Sequence, residues 1–223
     1  MQKLTIFDEL QRVVEQREEY YSFTKERYEK ALLSAIVIGL ILMSALYSMV
    51  IYSYTRKKEF ISYSLMQVAM TLFLLTAPFF HGIFSLEFLG MKELSLLVAF
   101  FATLFSKYFL ETKEHLPKID MLLNLYLVLI ILDALWVKQA MLFDYKLYEV
   151  FGLLYLLTAI LRIKKGFTPA WFYLLGWTGL LGAIFLGDYF HIGSYFIMFV
   201  GVAIEAIMLA WALVYKMRGL ERD

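Results

Sequence analysis

Residues 31–54 read ALLSAIVIGLILMSALYSMVIYSY, and Arg56-Lys57-Lys58 follows almost at once. The run contains no charged residue, and at about 1.5 Å per residue a helix of this length crosses the roughly 30 Å of hydrocarbon in a bilayer. The whole chain is 61% hydrophobic with a mean hydropathy of +0.68. A soluble domain is nearer half apolar, and the excess would leave a large apolar surface in water. The sequence therefore predicts a lipid bilayer as the surrounding solvent.

Further apolar runs of comparable character follow the first one, which predicts seven transmembrane helices. The connections between them are short, so successive helices run antiparallel and form an all-α bundle. The predicted spans are 31–54, 61–80, 94–110, 119–137, 147–163, 170–188 and 192–215.

Successive connections alternate between rich and poor in lysine and arginine. The first connection carries Arg56-Lys57-Lys58, and the third and fifth connections and the C-terminal end are also basic, whereas the sixth, around Asp188 and His191, has neither lysine nor arginine. Basic loops stay in the cytoplasm. This predicts an N-terminus outside the cell and a C-terminus in the cytoplasm.

Three regions follow from this topology. Residues 1–30 form an extracytoplasmic, charged and amphipathic helical segment, 31–216 the seven-helix transmembrane domain, and 217–223 the start of a cytoplasmic helical linker or tail. In the first region, Phe7, Val14, Tyr21 and Tyr28 recur every seven residues. That repeat indicates either a weak partner face or a solvated, frayed helix.

Several chemistries find no support in the sequence. Cysteine is absent, which excludes disulfides and thiolate metal sites. His81, His115 and His191 lack ligand spacing, so no metal or other cofactor is expected. A net charge of +1 without a basic aromatic patch argues against nucleic acid as a partner. Nucleophile elbows and metalloprotease motifs are missing, and we expect the chain not to be an enzyme.

Two ionisable residues fall within predicted spans, where charges are expensive and mark functional sites. Lys107 and Glu205 lie at similar depth in the inner half of the third and seventh spans. We hypothesise that they pair across the bundle as a polar latch. The alternative is that Lys107 extends to the cytoplasmic headgroups while Glu205 bonds to nearby hydroxyls.

Other candidate residues lie toward the outer end of the bundle and on the sixth span. The outer polar residues either line a ligand cleft or are wetted helix ends. The sixth span repeats small residues every four positions, which favours close packing within the bundle, with a homodimer seam as the alternative. The outer polar residues are Asp133, Glu149, Asp188 and His191, and the small residues are Gly179, Ala183 and Gly187.

Four stretches carry a resemblance to a bacterial family. They are ALYSMVIY at 45–52 before the basic turn and Tyr63, FSKYFLETK at 105–113 before Leu116-Pro117, GFTPA at 166–170, and VGVAIEAIML at 200–209. Their order and spacing resemble the membrane region of the seven-transmembrane receptors with diverse intracellular signalling modules, over roughly residues 28–220.

The resemblance implies a receptor domain in the bacterial inner membrane. It would relay a signal from an extracytoplasmic ligand, often carbohydrate-like, or from a partner to a cytoplasmic output such as a histidine kinase, a cyclic-di-nucleotide enzyme or a phosphatase. The sequence departs from the family plan at both ends, since neither an external sensor nor an output module is included. A small-solute transporter or channel, or a membrane anchor subunit without a sensing role, is the alternative function.

Overall fold

The structure, a computed structural model, describes residues 2–76, 91–136, 145–190 and 194–220. All regular structure in these ranges is α-helical, as the composition predicts. The helices are α1 (Gln2–Thr55), α2 (Lys58–Leu75), α3 (Met91–Phe109), α4 (Thr112–His115), α5 (Pro117–Leu135), α6 (Tyr145–Lys164), α7 (Ala170–Phe190) and α8 (Ser194–Leu220).

Seven of these helices lie over the seven predicted spans, and α4 is a single extra turn between α3 and α5. Within the described ranges, two stretches are long and apolar enough to cross a membrane by length and composition alone. They are Ala31–Thr55 in α1 and Ile197–Arg218 in α8, while the apolar part of α7, Ala170–Leu186, is shorter. The predicted ends of the second and fourth spans, at residues 80 and 137, and the start of the seventh, at residue 192, lie outside the described residues.

The chain divides into two compact units, Met1–Ile36 and Val37–Asp223. The division lies six residues beyond the predicted end of the N-terminal segment, within the continuous helix α1. In the first unit, Lys25 and Glu29 are exposed and form an i,i+4 ion pair at 4.0 Å. Such a pair supports a solvated helix by only a few tenths of a kcal/mol, roughly 0.3–0.5.

Small residues bring α7 and α8 into backbone contact in the second unit. A Cβ atom built on Gly201 of α8 would lie 2.4 Å from the Cβ of Ala183, and one built on Gly179 of α7 would lie 2.7 Å from Ile204 Cγ2. Both distances are shorter than real Cβ atoms tolerate. Only glycine at these positions permits so close an approach, which maximises van der Waals contact between the two helices.

Helix α3 lies among the other helices and is bonded to them through hydroxyl groups. Ser106 Oγ lies 2.6 Å from the Tyr173 hydroxyl of α7, and Thr103 Oγ1 lies 2.7 Å from the Tyr155 hydroxyl of α6. Phe105 lies on a third face of α3 and packs against Tyr63 of α2, with 5.3 Å between the ring centroids. These buried pairs fix the rotation of α3 about its axis.

Large apolar side chains cover the outside of the second unit. On α5, Met121 is 75% exposed and Leu135 is 71% exposed, and Leu125 and Val128 lie on the same exposed surface. A soluble monomer rarely presents so extensive an apolar surface. Together with the two apolar spans, this surface indicates a membrane location for the protein.

Candidate functional site: a charged cluster at the end of the last helix

Lys216 lies in the last two turns of α8, and its side chain folds into the bundle instead of extending outward. It is only 8% exposed. Its Nζ lies 2.9 Å from Glu111 Oε1 and 3.4 Å from Glu59 Oε1, and it donates to the carbonyl oxygen of Phe109 at 3.1 Å. One ammonium group therefore ties the end of α8 to the start of α2 and to the end of α3.

Arg162, near the end of α6, completes what we call the Lys216 cluster, which comprises Glu59, Glu111, Arg162 and Lys216. Its Nη2 donates to Glu111 Oε2 at 3.2 Å, so each carboxylate oxygen of Glu111 faces a different cation. The guanidinium also lies 4.5 Å from the ring centroid of Phe167, in the connection to α7. Two anions and two cations balance, as buried charges require.

Local backbone conformation aims Glu111 at these partners. Helix α3 ends at Phe109, and Glu111 adopts a left-handed conformation with φ 50° and ψ 47° before the single turn of α4. Its carbonyl accepts from the His115 amide at 3.1 Å. A non-glycine residue with φ above zero is strained by about 1 kcal/mol, and such strain persists only where surrounding contacts hold it. Here the contacts are the two ion pairs.

The cations hold Glu111 in its charged form. Partial burial raises the pKa of its carboxyl, but the hydrogen bond from Lys216 and the neighbouring positive charges lower the pKa by more, so that it lies below its ordinary value near 4.5. His115 Nε2 lies 3.4 Å from Glu111 Oε2 at the exposed edge. The carboxylate of Glu111 is therefore charged at neutral pH.

The predicted contact between Lys107 and Glu205 is wrong in this structure. Lys107 Nζ bonds to Asn124 Oδ1 and lies 3.5 Å from Asp120 Oδ1, both on α5. The reason is the rotation of α3: Ser106 faces α7, and the next residue points about 100° away, toward α5. The depth predicted from the sequence does not determine which neighbour a side chain reaches.

Glu205 instead has an amide partner on α2. It is fully buried, and Gln67 Nε2 donates to Glu205 Oε2 at 3.2 Å. One turn away along α2, the Tyr63 hydroxyl donates to the carbonyl oxygen of Ala206 at 3.0 Å. Gln67 and Tyr63 thus join α2 to α8 midway along both helices, within the part of the bundle that the apolar core surrounds.

Of the predicted outer polar residues, the structure describes the side chain of Asp133 alone. It is fully buried at the end of α5, where the Nζ of Lys92 at the start of α3 lies 3.1 Å from its Oδ1. Glu149 and Asp188 lie within α6 and α7, but their side chains, and the whole of His191, lie outside the described residues. The predicted cleft therefore remains a prediction.

The predicted small residues can be placed in part. Gly179 and Ala183 lie on α7 where it contacts α8, so their close neighbour is within the bundle, and Gly187 lies outside the residues whose packing is described. Among the described residues, no group of three or more His, Asp or Glu could hold a metal ion.

Sequence reasoning counted Lys216 and Arg162 only as basic residues that orient the chain. One signal could have identified them: Arg162 lies inside the end of the predicted fifth span, and Lys216 directly follows the seventh. Glu111 directly follows the FSKYFL stretch, and Glu59 lies two residues before the second predicted span. Both carboxylates therefore lie beside basic connections at the same end of the bundle, and acidic residues there are candidates for ion pairs with those cations.

Comparison with known proteins agrees with this architecture. A family model described as 7TM diverse intracellular signalling matches residues 30–216, and its last matched residue is Lys216. No curated protein and no solved structure matches the chain. The match spans most of the chain. The chain belongs to the family of seven-transmembrane domains of receptors with diverse intracellular signalling modules.

Proposed function

We propose that this protein is a signal-relaying receptor domain with seven spans, an outer N-terminus and a cytoplasmic C-terminus. A ligand or partner outside the cytoplasmic membrane of a bacterium biases the bundle between two arrangements. Helix α8 transmits the difference to a cytoplasmic output domain or partner protein. The single observation that carries the proposal is the ionic attachment of the end of α8 by Lys216 to both Glu111 and Glu59.

The location of the cluster supports a relay through α8. Its members come from α2, from the turn after α3, from α6 and from α8, so a shift of any of these helices alters the contacts of Lys216. Ion pairs can exchange between discrete arrangements, whereas the close contacts of Gly179 and Gly201 between α7 and α8 cannot slide without overlap. A relay requires two such states that a ligand binds with different affinity.

The charge pattern supports a cytoplasmic position for the cluster. Arg56 and Lys57 follow α1, and Lys164 and Lys165 end and follow α6. Both basic pairs belong to connections that the distribution of lysine and arginine assigns to the cytoplasm. A C-terminal output would then extend directly from the cluster. The extracytoplasmic side would be the end of the bundle where Lys92 pairs with Asp133.

A fusion to a reporter output tests the relay. A histidine kinase domain joined after Asp223 through a continuous helix is assayed in membranes for basal phosphorylation. We expect Lys216→Met to change basal activity about tenfold, since a bias of about 1.4 kcal/mol between two states shifts their ratio by that factor. Lys118→Met is the matched control, because Lys118 is an exposed lysine at the start of α5.

The outcomes separate relay from its alternatives. Equal basal activity in both variants, with the Lys216 variant correctly folded, would remove the cluster from any relay. Solute flux through the purified protein in liposomes, at a rate above that of empty liposomes, would instead favour a transporter or channel.

A further inference from the structure

Glu205 is a buried carboxyl group that has no cation as a partner. It lies fully buried in α8, and its two oxygens share one donor, Gln67 Nε2, at 3.4 and 3.2 Å. Among the residues that the structure describes, no lysine, arginine or histidine forms an ion pair with it. An ionised carboxylate offers about four acceptor sites, and here one N–H serves them all. A charge buried with so little compensation is costly enough that the group takes up a proton instead.

The helices around Glu205 supply no compensating positive charge. Lys107 of α3 points toward α5, and Lys216 follows 11 residues later on α8, roughly 16 Å along the helix axis. From α2 and α7, which pack against α8, the titratable groups that interact electrostatically with Glu205 are Tyr63 and Tyr173. Both are phenols whose hydroxyl groups already bond elsewhere. The surroundings of Glu205 therefore favour an uncharged carboxyl.

The amide of Gln67 has a second polar atom that lacks a partner. Its Oε1 is buried and accepts no hydrogen bond from any residue in the described ranges, which is costly for a buried acceptor. A side-chain amide presents one acceptor beside its donors, and a carboxylic acid presents one donor beside an acceptor. Glu205 can serve Gln67 Oε1 only in its protonated form, because a carboxylate has no hydrogen to donate. Rotation of the amide about its terminal bond, which is soft, aligns the two groups.

We propose that Glu205 is a proton-binding site. At neutral pH it is a carboxylic acid whose O–H donates to Gln67 Oε1, while its carbonyl oxygen accepts from Gln67 Nε2. This acid–amide pair joins α2 to α8 by two hydrogen bonds and places no charge in the apolar core. Loss of the proton would remove one of the two bonds and leave an unpaired carboxylate there. The proposal concerns the protonation of one side chain and does not depend on the relay.

Infrared absorption distinguishes the two forms of the carboxyl group. The C=O stretch of a carboxylic acid lies above the amide band of the backbone, whereas the stretches of a carboxylate lie below it. The full chain is measured at neutral pH in dodecylmaltoside micelles, because this detergent has no carbonyl group that could mask the acid band. Glu205→Gln is compared with the matched control Glu114→Gln, since Glu114 is exposed in α4.

We expect Glu205→Gln to lose acid absorption equivalent to one carboxyl group per chain and to keep its carboxylate absorption. Glu114→Gln should lose carboxylate absorption and keep the acid band. Glutamine at position 205 retains one donor and one acceptor toward Gln67, so Glu205→Gln should unfold at the same SDS content as the wild type. Glu205→Leu leaves the amide without a partner and should unfold at a lower SDS content.

Replacing Gln67 tests the partner and keeps Glu205 itself. In Gln67→Leu the carbonyl oxygen of the acid no longer accepts from the amide, so the acid band should move to higher frequency. Asn124→Leu is the control and should leave the band in place, because that amide bonds to Lys107 and Asp120 instead. This comparison identifies the carboxyl even if Glu205→Gln does not fold.

Three results would overturn the proposal. Loss of carboxylate absorption in Glu205→Gln, or the absence of an acid band from the wild type, would show that Glu205 is ionised. An acid band that stays at the same frequency in Gln67→Leu would exclude the acid–amide pair. Because no output domain is used, each result stands whether or not the reporter fusion responds.

Discussion

Replacing Lys216 by methionine removes one of the four charges of the Lys216 cluster. The change leaves Glu59, whose side chain is 11% exposed, without its cation at 3.4 Å, whereas Glu111 is 35% exposed and keeps Arg162 at 3.2 Å. Breaking a buried ion pair from one side costs about 3–5 kcal/mol. Because water screens Glu111 and a second cation remains, we expect a loss of about 2–3 kcal/mol in the free energy of unfolding.

A double-mutant cycle with Glu59→Gln isolates the electrostatic part. In the Lys216→Met background, Glu59→Gln removes an unpaired carboxylate, so the double variant should be less destabilised than the sum of the single variants, with a coupling of about 1–2 kcal/mol. Stability is measured by reversible unfolding in mixed micelles of increasing SDS content, followed by far-UV circular dichroism. Lys118→Met, at an exposed position, is the control and should change stability by less than about 0.5 kcal/mol.

The cycle can refute the structural reasoning. A Lys216→Met variant as stable as Lys118→Met would show that the ammonium lies in solvent and contacts neither carboxylate. Strict additivity of Lys216→Met and Glu59→Gln would show that these two side chains do not interact, even if Lys216 matters for another reason. Either result would also remove the observation on which the proposed relay depends.

Two further predictions concern the acid response and the contact between α7 and α8. The pKa of Glu111 is lower in the folded protein than in the unfolded chain, so its contribution to stability is present above pH 4.5 and is lost as pH falls through the depressed pKa. Glu111→Gln should therefore flatten the decline in unfolding free energy below pH 4.5. An unchanged acid profile would contradict this. Gly201→Ala should destabilise the protein by roughly 1–3 kcal/mol, because the added Cβ overlaps Ala183. The control Gly182→Ala adds a Cβ that meets no atom within 4 Å and should be neutral or stabilising in the same SDS titration. Equal effects of the two substitutions would argue against the close contact.

The sequence predicts where the helices lie along the chain, but it does not predict which helices contact each other. Apolar length predicts where each helix lies, because lipid requires about 20 apolar residues per crossing. The four-residue spacing of Gly179 and Ala183 indicates a face that another helix can approach closely. Neither signal identifies the partner helix, since that depends on how each helix is rotated about its axis.

Lys107 illustrates what could not be predicted. Its depth matches that of Glu205, and depth alone suggested the pair. The rotation of α3 is set by Ser106, whose hydroxyl lies 2.6 Å from that of Tyr173, and this directs Lys107 toward Asp120 on α5 instead. A tyrosine on one helix and a serine on another, far apart in sequence, carry no recognisable spacing before the fold is known.

The two kinds of contact along α8 imply how it can move. Near Gly201 its backbone touches α7, and a slide of one residue, about 1.5 Å, would drive side chains into the space that only glycine leaves open. At Lys216 the contacts run through a flexible four-carbon side chain to one carboxylate on α2 and one in the turn after α3, and such a side chain tolerates a shift of this size. A displacement of α8 would therefore carry α7 with it, together with Phe167 in the connection that precedes that helix. In the proposed relay, the rearrangement would then fall on Glu59 and Glu111, which connect the end of α8 to α2 and to the turn after α3.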